Sequence, residues 1–195
     1  MIDLFLGEES KGIQEKSKKL GFSEVLFVKP IIVMKDFDKL EKYDCCLIKT
    51  DNIEMLRRMI DKSASFSKKI IVLGTTNEIN RLALENKKVF ALLDSGYGRK
   101  KDFLDSRDSG LNQVLCKIAK QGNKKILVSL DSLRDEKSLG RTLQNFRLCK
   151  KFGTEIQMVN LCFFGSSDEM KSAFELKEVE RVLKSHEHFE RNKLY

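Results

Sequence analysis

The chain has 195 residues, 41% hydrophobic and 34% charged, with 37 Lys and Arg against 29 Asp and Glu for a formal net charge of +8. That size and apolar share suit one soluble globular domain around a single core and make a second domain unlikely. No apolar run approaches the roughly 18 residues that cross a bilayer, and Met1-Ile2-Asp3-Leu4 lacks the basic start of a secretory leader. The expectation is a cytoplasmic protein with no membrane partner. Cys45, Cys46, Cys116, Cys149 and Cys162 include no Cys-x-x-Cys pair and mostly fall in apolar patterns, which reads as buried free thiols. The positive surplus fits either a polyanionic partner or a Lys-rich soluble surface.

Short β-branched runs alternate with helical patterns along the chain, the signature of a parallel sheet built from crossover units. Strands are predicted at Ile2 to Leu6, Val25 to Val28 and Cys45 to Ile48. Asp51 then caps a helix whose core positions are Met55, Met59 and Ile60. A strand over Lys69 to Leu73 precedes Thr75 and Glu78, which have capping-box spacing ahead of Ile79, Leu82 and Ala83 on one helix face. Val89 to Leu93 follows as a strand, and its unbroken apolar run, like Ile70-Ile71-Val72-Leu73, suits strands covered on both faces. Asp94 to Arg107 is the longest polar interruption. Beyond it, Leu111, Val114, Leu115, Ile118 and Ala119 mark an amphipathic helix stopped by Gly122. A strand over Lys125 to Leu130, a helix from about Ser138 to Phe152 and a strand over Ile156 to Asn160 complete the pattern.

About seven strand and helix repeats in this length indicate an α/β fold, a compact TIM-like (β/α) barrel with mainly parallel strands and room for irregularity, with a doubly wound sheet as the alternative. The domain is expected over residues 1–184, followed by a charged C-terminal tail over 185–195. Sites in such barrels are built on loops after the strands' C-terminal ends, which directs attention to Asp94 to Arg107.

Hydrolytic chemistry is hard to assemble from these residues. Metal-dependent hydrolysis on a barrel needs several converging His and carboxylate ligands, and the chain has two histidines, His186 and His188, both in the tail. A Cys or Ser nucleophile needs a base such as His from the folded body. Gly96-Tyr97-Gly98 matches neither phosphate-loop pattern and reads as a flexible turn. No catalytic or metal-ligating residue is therefore assigned. The competing reading is a stand-alone metal-dependent phosphoesterase that uses Asp3, Asp94 and Asp131 with few or no His ligands.

Binding chemistry is present instead. The long loop carries Arg99, Lys100, Lys101 and Arg107 with Tyr97 and Phe103 interleaved, so it can pair phosphates and stack on unpaired bases; an exposed basic loop anchored by two rings is the other reading. On the helix from about Ser138 to Phe152, Arg141, Gln144, Arg147 and Lys151 are predicted to project to one side, opposite Leu139, Leu143 and Phe146. That stripe serves either RNA contact or plain solubility.

Three segments resemble the ribonuclease P protein component 3 family, the barrel subunit of archaeal and eukaryotic ribonuclease P. Asn77 to Asn86 with Val89 and Leu92-Leu93-Asp94 is similar to a family helix and the strand ending in Leu-Asp. Arg107-Asp108-Ser109-Gly110-Leu111-Asn112 with Val114 to Ala119 resembles its most characteristic run, and Arg141, Asn145, Arg147-Leu148, Lys151 and Gly153 resemble its Arg-rich helix. The resemblance covers roughly Lys69 to Leu183 and is faint before it. Two departures stand out. Met170-Lys171-Ser172-Ala173-Phe174-Glu175-Leu176 keeps Lys171 where the family often has Arg but lacks the usual Pro and second Arg, and Asn160-Leu161-Cys162-Phe163 replaces a usual Ser-Ser-Gly/Ala.

The family is related to phosphoesterases of the polymerase and histidinol phosphatase type without their metal site. The resemblance implies a non-catalytic subunit of an endoribonuclease, in which an RNA component with Mg²⁺ removes the 5′ leader of precursor tRNA. The chain itself would bind no cofactor. Its partners would be ribonuclease P RNA, precursor tRNA in the holoenzyme and a small α/β ribonuclease P protein subunit, with Arg99, Lys100, Lys101, Arg107, Arg141, Arg147, Lys151 and Lys171 as the expected RNA-binding residues.

Overall fold

Runs of β-branched and aliphatic residues build seven strands, β1 (Ile2–Leu6), β2 (Glu24–Ile31), β3 (Cys45–Ile48), β4 (Lys69–Leu73), β5 (Val89–Leu93), β6 (Lys125–Ser129) and β7 (Ile156–Val159). The computed structural model describes residues 1–98, 102, 108–133, 135–161 and 170–185. All strands pair with their sequence neighbours in one sheet of order β1 to β7, and every pair is parallel. Helices α1 (Lys11–Lys19), α2 (Ile53–Ser65), α3 (Asn77–Glu85), α4 (Gln113–Gln121), α5 (Glu136–Phe152) and α6 (Ala173–Ser185) accompany them, and three short 3-10 turns follow β2 and β6. An order that never reverses has no topological switch point, so the doubly wound alternative fails and a nearly closed (β/α) barrel results.

Side chains alternate across the pleat and divide the apolar residues into two layers. Leu4, Leu26, Leu47, Leu73, Leu93 and Leu127 are among those that fill the barrel interior. Their neighbours Cys46, Ile48, Ile70, Val72, Ile126 and Met158 pack outward against the helices. Burial on both faces explains why the strands read as near-continuous apolar runs. Each aliphatic side chain removed from water in this way contributes about 1.5–3 kcal/mol.

The helix starts lie close to the predicted caps. At α2 the cap is Asn52 rather than Asp51: its side chain accepts from the Met55 N–H at 2.9 Å. At α3 it is Thr76, accepting from the Ile79 N–H, while the Thr75 hydroxyl donates to the Thr50 carbonyl at 3.2 Å. Within α4, Leu115, Cys116 and Ala119 are buried but Val114 is 51% exposed, one position off the expected stripe. Cys45, Cys46, Cys116 and Cys149 are buried free thiols, as expected, and Cys162 lies outside the described residues.

The larger correction concerns α5. Its buried side is Gly140, Arg141, Thr142, Asn145, Phe146 and Cys149, so Arg141 faces inward and not along a solvent stripe, whereas Leu139 and Leu143 are only partly buried. The inward face is polar at its N-terminal half because the neighbouring loops present carbonyl and carboxylate oxygens to it. Hydrophobic periodicity alone misses such a face.

Candidate nucleic-acid interface

The β5–β6 end of the barrel is organised by one buried carboxylate. Asp94 follows the last residue of β5 in the left-handed region, φ 45°, which Asp tolerates better than most residues. Its Oδ1 accepts from the Ser129 N–H at 2.8 Å and the Ser132 hydroxyl at 2.6 Å, and its Oδ2 accepts from the Ser129 hydroxyl at 2.6 Å. Burial pushes the carboxyl above its ordinary range, with these hydrogen bonds acting in the opposite sense. Asp94 thus ties the exit of β5 to β6 and to the turn after it.

Asp3 has a similar environment at another place. It is the second residue of β1, fully buried, and its two oxygens accept from the backbone N–H and the side-chain amide of Asn160 at 2.8 and 2.7 Å. Burial raises its pKa as well. The metal-hydrolase reading needs Asp3, Asp94 and Asp131 to converge, but Asp3 is engaged at the β1–β7 seam while Asp94 and Asp131 lie beside β6. Among the described residues, no cluster of three or more His, Cys, Asp or Glu side chains is placed to hold a metal ion.

In the run Asp108 to Asn112, Gly110 and Asn112 each have a structural reason for their residue type. Gly110, at φ 77°, passes so close to the β5 exit that a Cβ there would lie 1.8 Å from the Ser95 carbonyl oxygen. Two buried amides hold the crossing together. Asn80 Nδ2 donates to the carbonyls of Ser95 and Gly110 at 2.8 and 2.9 Å. Asn145 Nδ2 donates to the Ser95 hydroxyl and the Ser109 carbonyl at 2.9 and 3.0 Å. Ser95 in turn donates its hydroxyl to the Ser109 carbonyl, and Asn112 caps α4 by accepting from the Leu115 N–H at 2.9 Å. The Arg141 guanidinium, only 6% exposed, reaches Asp102 Oδ1 through Nε and Nη2 at 3.0 and 2.9 Å. The same oxygen accepts from the Asp108 N–H.

A cavity of about 540 Å³ opens above this network, walled by residues including Ser95, Ser129, Ser132, Ser138, Arg141 and Thr142. A second cavity of about 490 Å³ adjoins it, walled by Ile32, Thr50, Asp51, Thr75 and Thr76. Lys49, Tyr97 and Gly98 border both. Lys49 Nζ lies 3.3 Å from the Tyr97 hydroxyl and 4.9 Å from the ring centroid. Together the cavities form a cleft, lined largely by polar and charged residues, over the loops that follow β2 to β6, the end of a parallel barrel where ligands bind.

Of the expected RNA-binding residues, the four that fall among the described residues lie at separate places. Arg99, Lys100, Lys101 and Arg107, with Phe103, lie outside the described residues. Arg141 is at the cleft but engaged with Asp102, and Arg147 is partly buried two turns further along α5. Lys151 is exposed ten residues beyond Arg141, about 15 Å down the helix axis and away from the cleft. Lys171 is exposed at the β1–β7 seam, 3.9 Å from Glu175. The sequence reading missed Lys49 and Lys137, which line the cleft. Lys49 directly follows the strand that ends at Ile48, and the rule that sites sit after strand C-termini was enough to mark it.

Comparison with known proteins supports the resemblance noted in the sequence. The chain is 31% identical over 124 residues to ribonuclease P protein component 3 of Methanocaldococcus jannaschii, a match covering 60% of this chain and 50% of that protein. The matched region therefore spans about half the length of that curated relative. The fold matches a chain in the cryo-EM structure of archaeal ribonuclease P with mature tRNA, with a TM-score of 0.72 and 21% identity over 94% of this chain and 82% of that one. No family model matches the chain.

Proposed function

We propose that this chain is a protein subunit of ribonuclease P and supports removal of the 5′ leader from precursor tRNA by the particle's RNA component. The observation that carries the proposal is the 124-residue likeness to ribonuclease P protein component 3. In this reading the RNA and its Mg²⁺ perform the cleavage in the cytoplasm, and the chain acts with a small α/β partner subunit to shape and neutralise the RNA. The role needs a rigid surface and cations. The barrel and its buried amide network supply the first, and a net charge of +8 supplies the second. Cations that neutralise phosphates release condensed counterions, so about six phosphate contacts make affinity fall roughly a thousandfold between 50 and 200 mM salt.

Reconstitution tests this directly. With ribonuclease P RNA and the partner subunit, adding the chain should restore leader cleavage at a Mg²⁺ concentration too low for the RNA alone. Cleavage that is unchanged by the chain across a Mg²⁺ titration would refute the proposal.

A further inference from the structure

Resting on the RNA-subunit reading above, we propose that the two-lobed cleft at the barrel mouth binds a single-stranded stretch of RNA, with one base stacked on Tyr97 and Lys49 paired to the adjoining phosphate. Among the described residues, Tyr97 is one of six large apolar side chains left exposed, at 38%, and it stands where the two cavities meet. Its backbone is fixed: the Tyr97 N–H donates to the carbonyls of Gly74 and Asp94 at 3.1 and 2.8 Å. Gly74 passes so near Ser95 that a Cβ would lie 2.5 Å from the Ser95 Cα, so the platform rests on close backbone contact. With its backbone held this way, the ring has only side-chain freedom to lose on binding.

The charges of the cleft point to a nucleobase with its phosphate and not to a bare anion. Lys49 and Lys137 are offset by Asp131 and Asp135 along the same wall, and Arg141 is paired with Asp102. A base edge carries donors and acceptors side by side, which suits carboxylate and hydroxyl oxygens interspersed with ammonium groups. Each lobe has the volume of a small-ligand pocket, and the two share Tyr97, so the cleft matches at least two successive unstacked nucleotides divided by a ring. Along the body of an RNA duplex the base faces are stacked on one another and closed to that ring.

The test uses the full chain and a 5′-fluorescein-labelled single-stranded RNA decamer of mixed sequence, with the same decamer as a perfect duplex, read by fluorescence anisotropy. Wild type should bind the single strand, and Tyr97→Ala and Tyr97→Leu should weaken that binding by roughly ten- to a hundredfold while leaving duplex binding unchanged. Tyr97→Phe should stay within about threefold of wild type because the ring is kept. Lys49→Ala should lower the slope of log affinity against log salt by about 0.7. Zero-length ultraviolet crosslinking of unmodified protein to the decamer, mapped by mass spectrometry, should place adducts at Tyr97. Wild type that does not bind the single strand, variants that bind like wild type, or crosslinks confined to other faces would each overturn the proposal. If Tyr97 variants bind normally while wild type still stimulates leader cleavage, only the cleft assignment fails. If Tyr97 binds RNA but leader cleavage is unaffected by the chain, only the subunit reading fails.

Discussion

Two glycines with similar backbone angles but different surroundings separate conformational preference from close packing. Gly110 has φ 77° and Gly98 has φ 70°; a Cβ at Gly98 meets nothing within 4 Å among the described residues, whereas at Gly110 it would lie 1.8 Å from the Ser95 carbonyl oxygen and 2.9 Å from Asn80 Nδ2. Alanine in the left-handed region costs about 1–2 kcal/mol, and restricting the unfolded chain returns about 0.4–1 kcal/mol. Both variants share those terms, so Gly98→Ala should lose about 0–1.6 kcal/mol. Gly110→Ala must also push apart two backbone segments held by Asn80 and Asn145, which adds roughly 1–3 kcal/mol of overpacking and strained hydrogen bonds. With a urea dependence of about 1–3 kcal/mol per molar, the midpoints of the two variants should differ by about 1 M, measured by far-ultraviolet circular dichroism. Equal midpoints would show that the crossing yields without penalty and that the Ser-Gly pair at 109–110 is not a packing requirement.

Other substitutions probe the polar network. Asp94→Asn keeps an acceptor for the Ser129 N–H and the Ser132 hydroxyl and lets the Ser129 hydroxyl turn to accept from the new amide, so the fold should persist at pH 7. Asp94→Ala should cost about 2–4 kcal/mol in urea unfolding. Because the folded-state pKa of Asp94 is raised, the native chain keeps its proton where the unfolded chain has released it. Its contribution is fully present below the ordinary value of 3.8 and is lost as pH rises through the raised value. Asp94→Asn should remove that share of the decline in a midpoint series from pH 4 to 8, leaving the share of Asp3, which has the same sign. Asn145→Ala should destabilise by about 1–3 kcal/mol through lost donors to Ser95 and Ser109, read as a lowered urea midpoint. Arg141→Gln and Asp102→Asn, alone and combined, should give a coupling energy of about 1 kcal/mol or more in a double-mutant cycle; an additive result would mean that the pair does not hold the loop.

The strands were legible because each is a short apolar run and because a parallel barrel buries both faces, so run length alone marked Ile2 to Leu6, Cys45 to Ile48, Lys69 to Leu73 and Val89 to Leu93 within the observed bounds. Local capping chemistry gave the starts of α2 and α3 to within a residue, since neighbouring polar side chains such as Asp51 and Asn52 satisfy similar cap preferences, whereas α5 begins at Glu136, two residues before the expected Ser138. The lysine-rich α1 has Ser17 as its buried residue and offers no apolar stripe to read. The site was legible only as a location. Arg141 and Asn145 look like solvent-facing polar residues on a helix until the loop carbonyls and Asp102 that they meet are known, and those partners lie 36 to 50 residues away in the chain. Lys49 reaches Tyr97 across 48 residues, a separation no local pattern encodes.

The β1–β7 seam gives the buried carboxylate of the first strand a structural role. Among the described residues, β7 has no ladder partner on that side, so its edge N–H groups need acceptors. Side chains supply them: the Met158 N–H donates to Glu180 of α6 at 2.8 Å, and the Asn160 N–H donates to Asp3. Gln157 donates from its side chain to the Ile2 carbonyl, covering the edge of β1 in return. Asn160 also pairs with the Lys171 backbone in both directions, at 2.9 and 2.8 Å, which anchors the segment entering α6. Both oxygens of Asp3 therefore face N–H donors that the barrel needs for closure, and a cation placed there would be repelled by those donors and would compete with the seam. The Asn at position 160, where the resembled family usually has a small residue, makes Asp3 part of the barrel's closure. In this chain the geometry of that carboxylate serves closure.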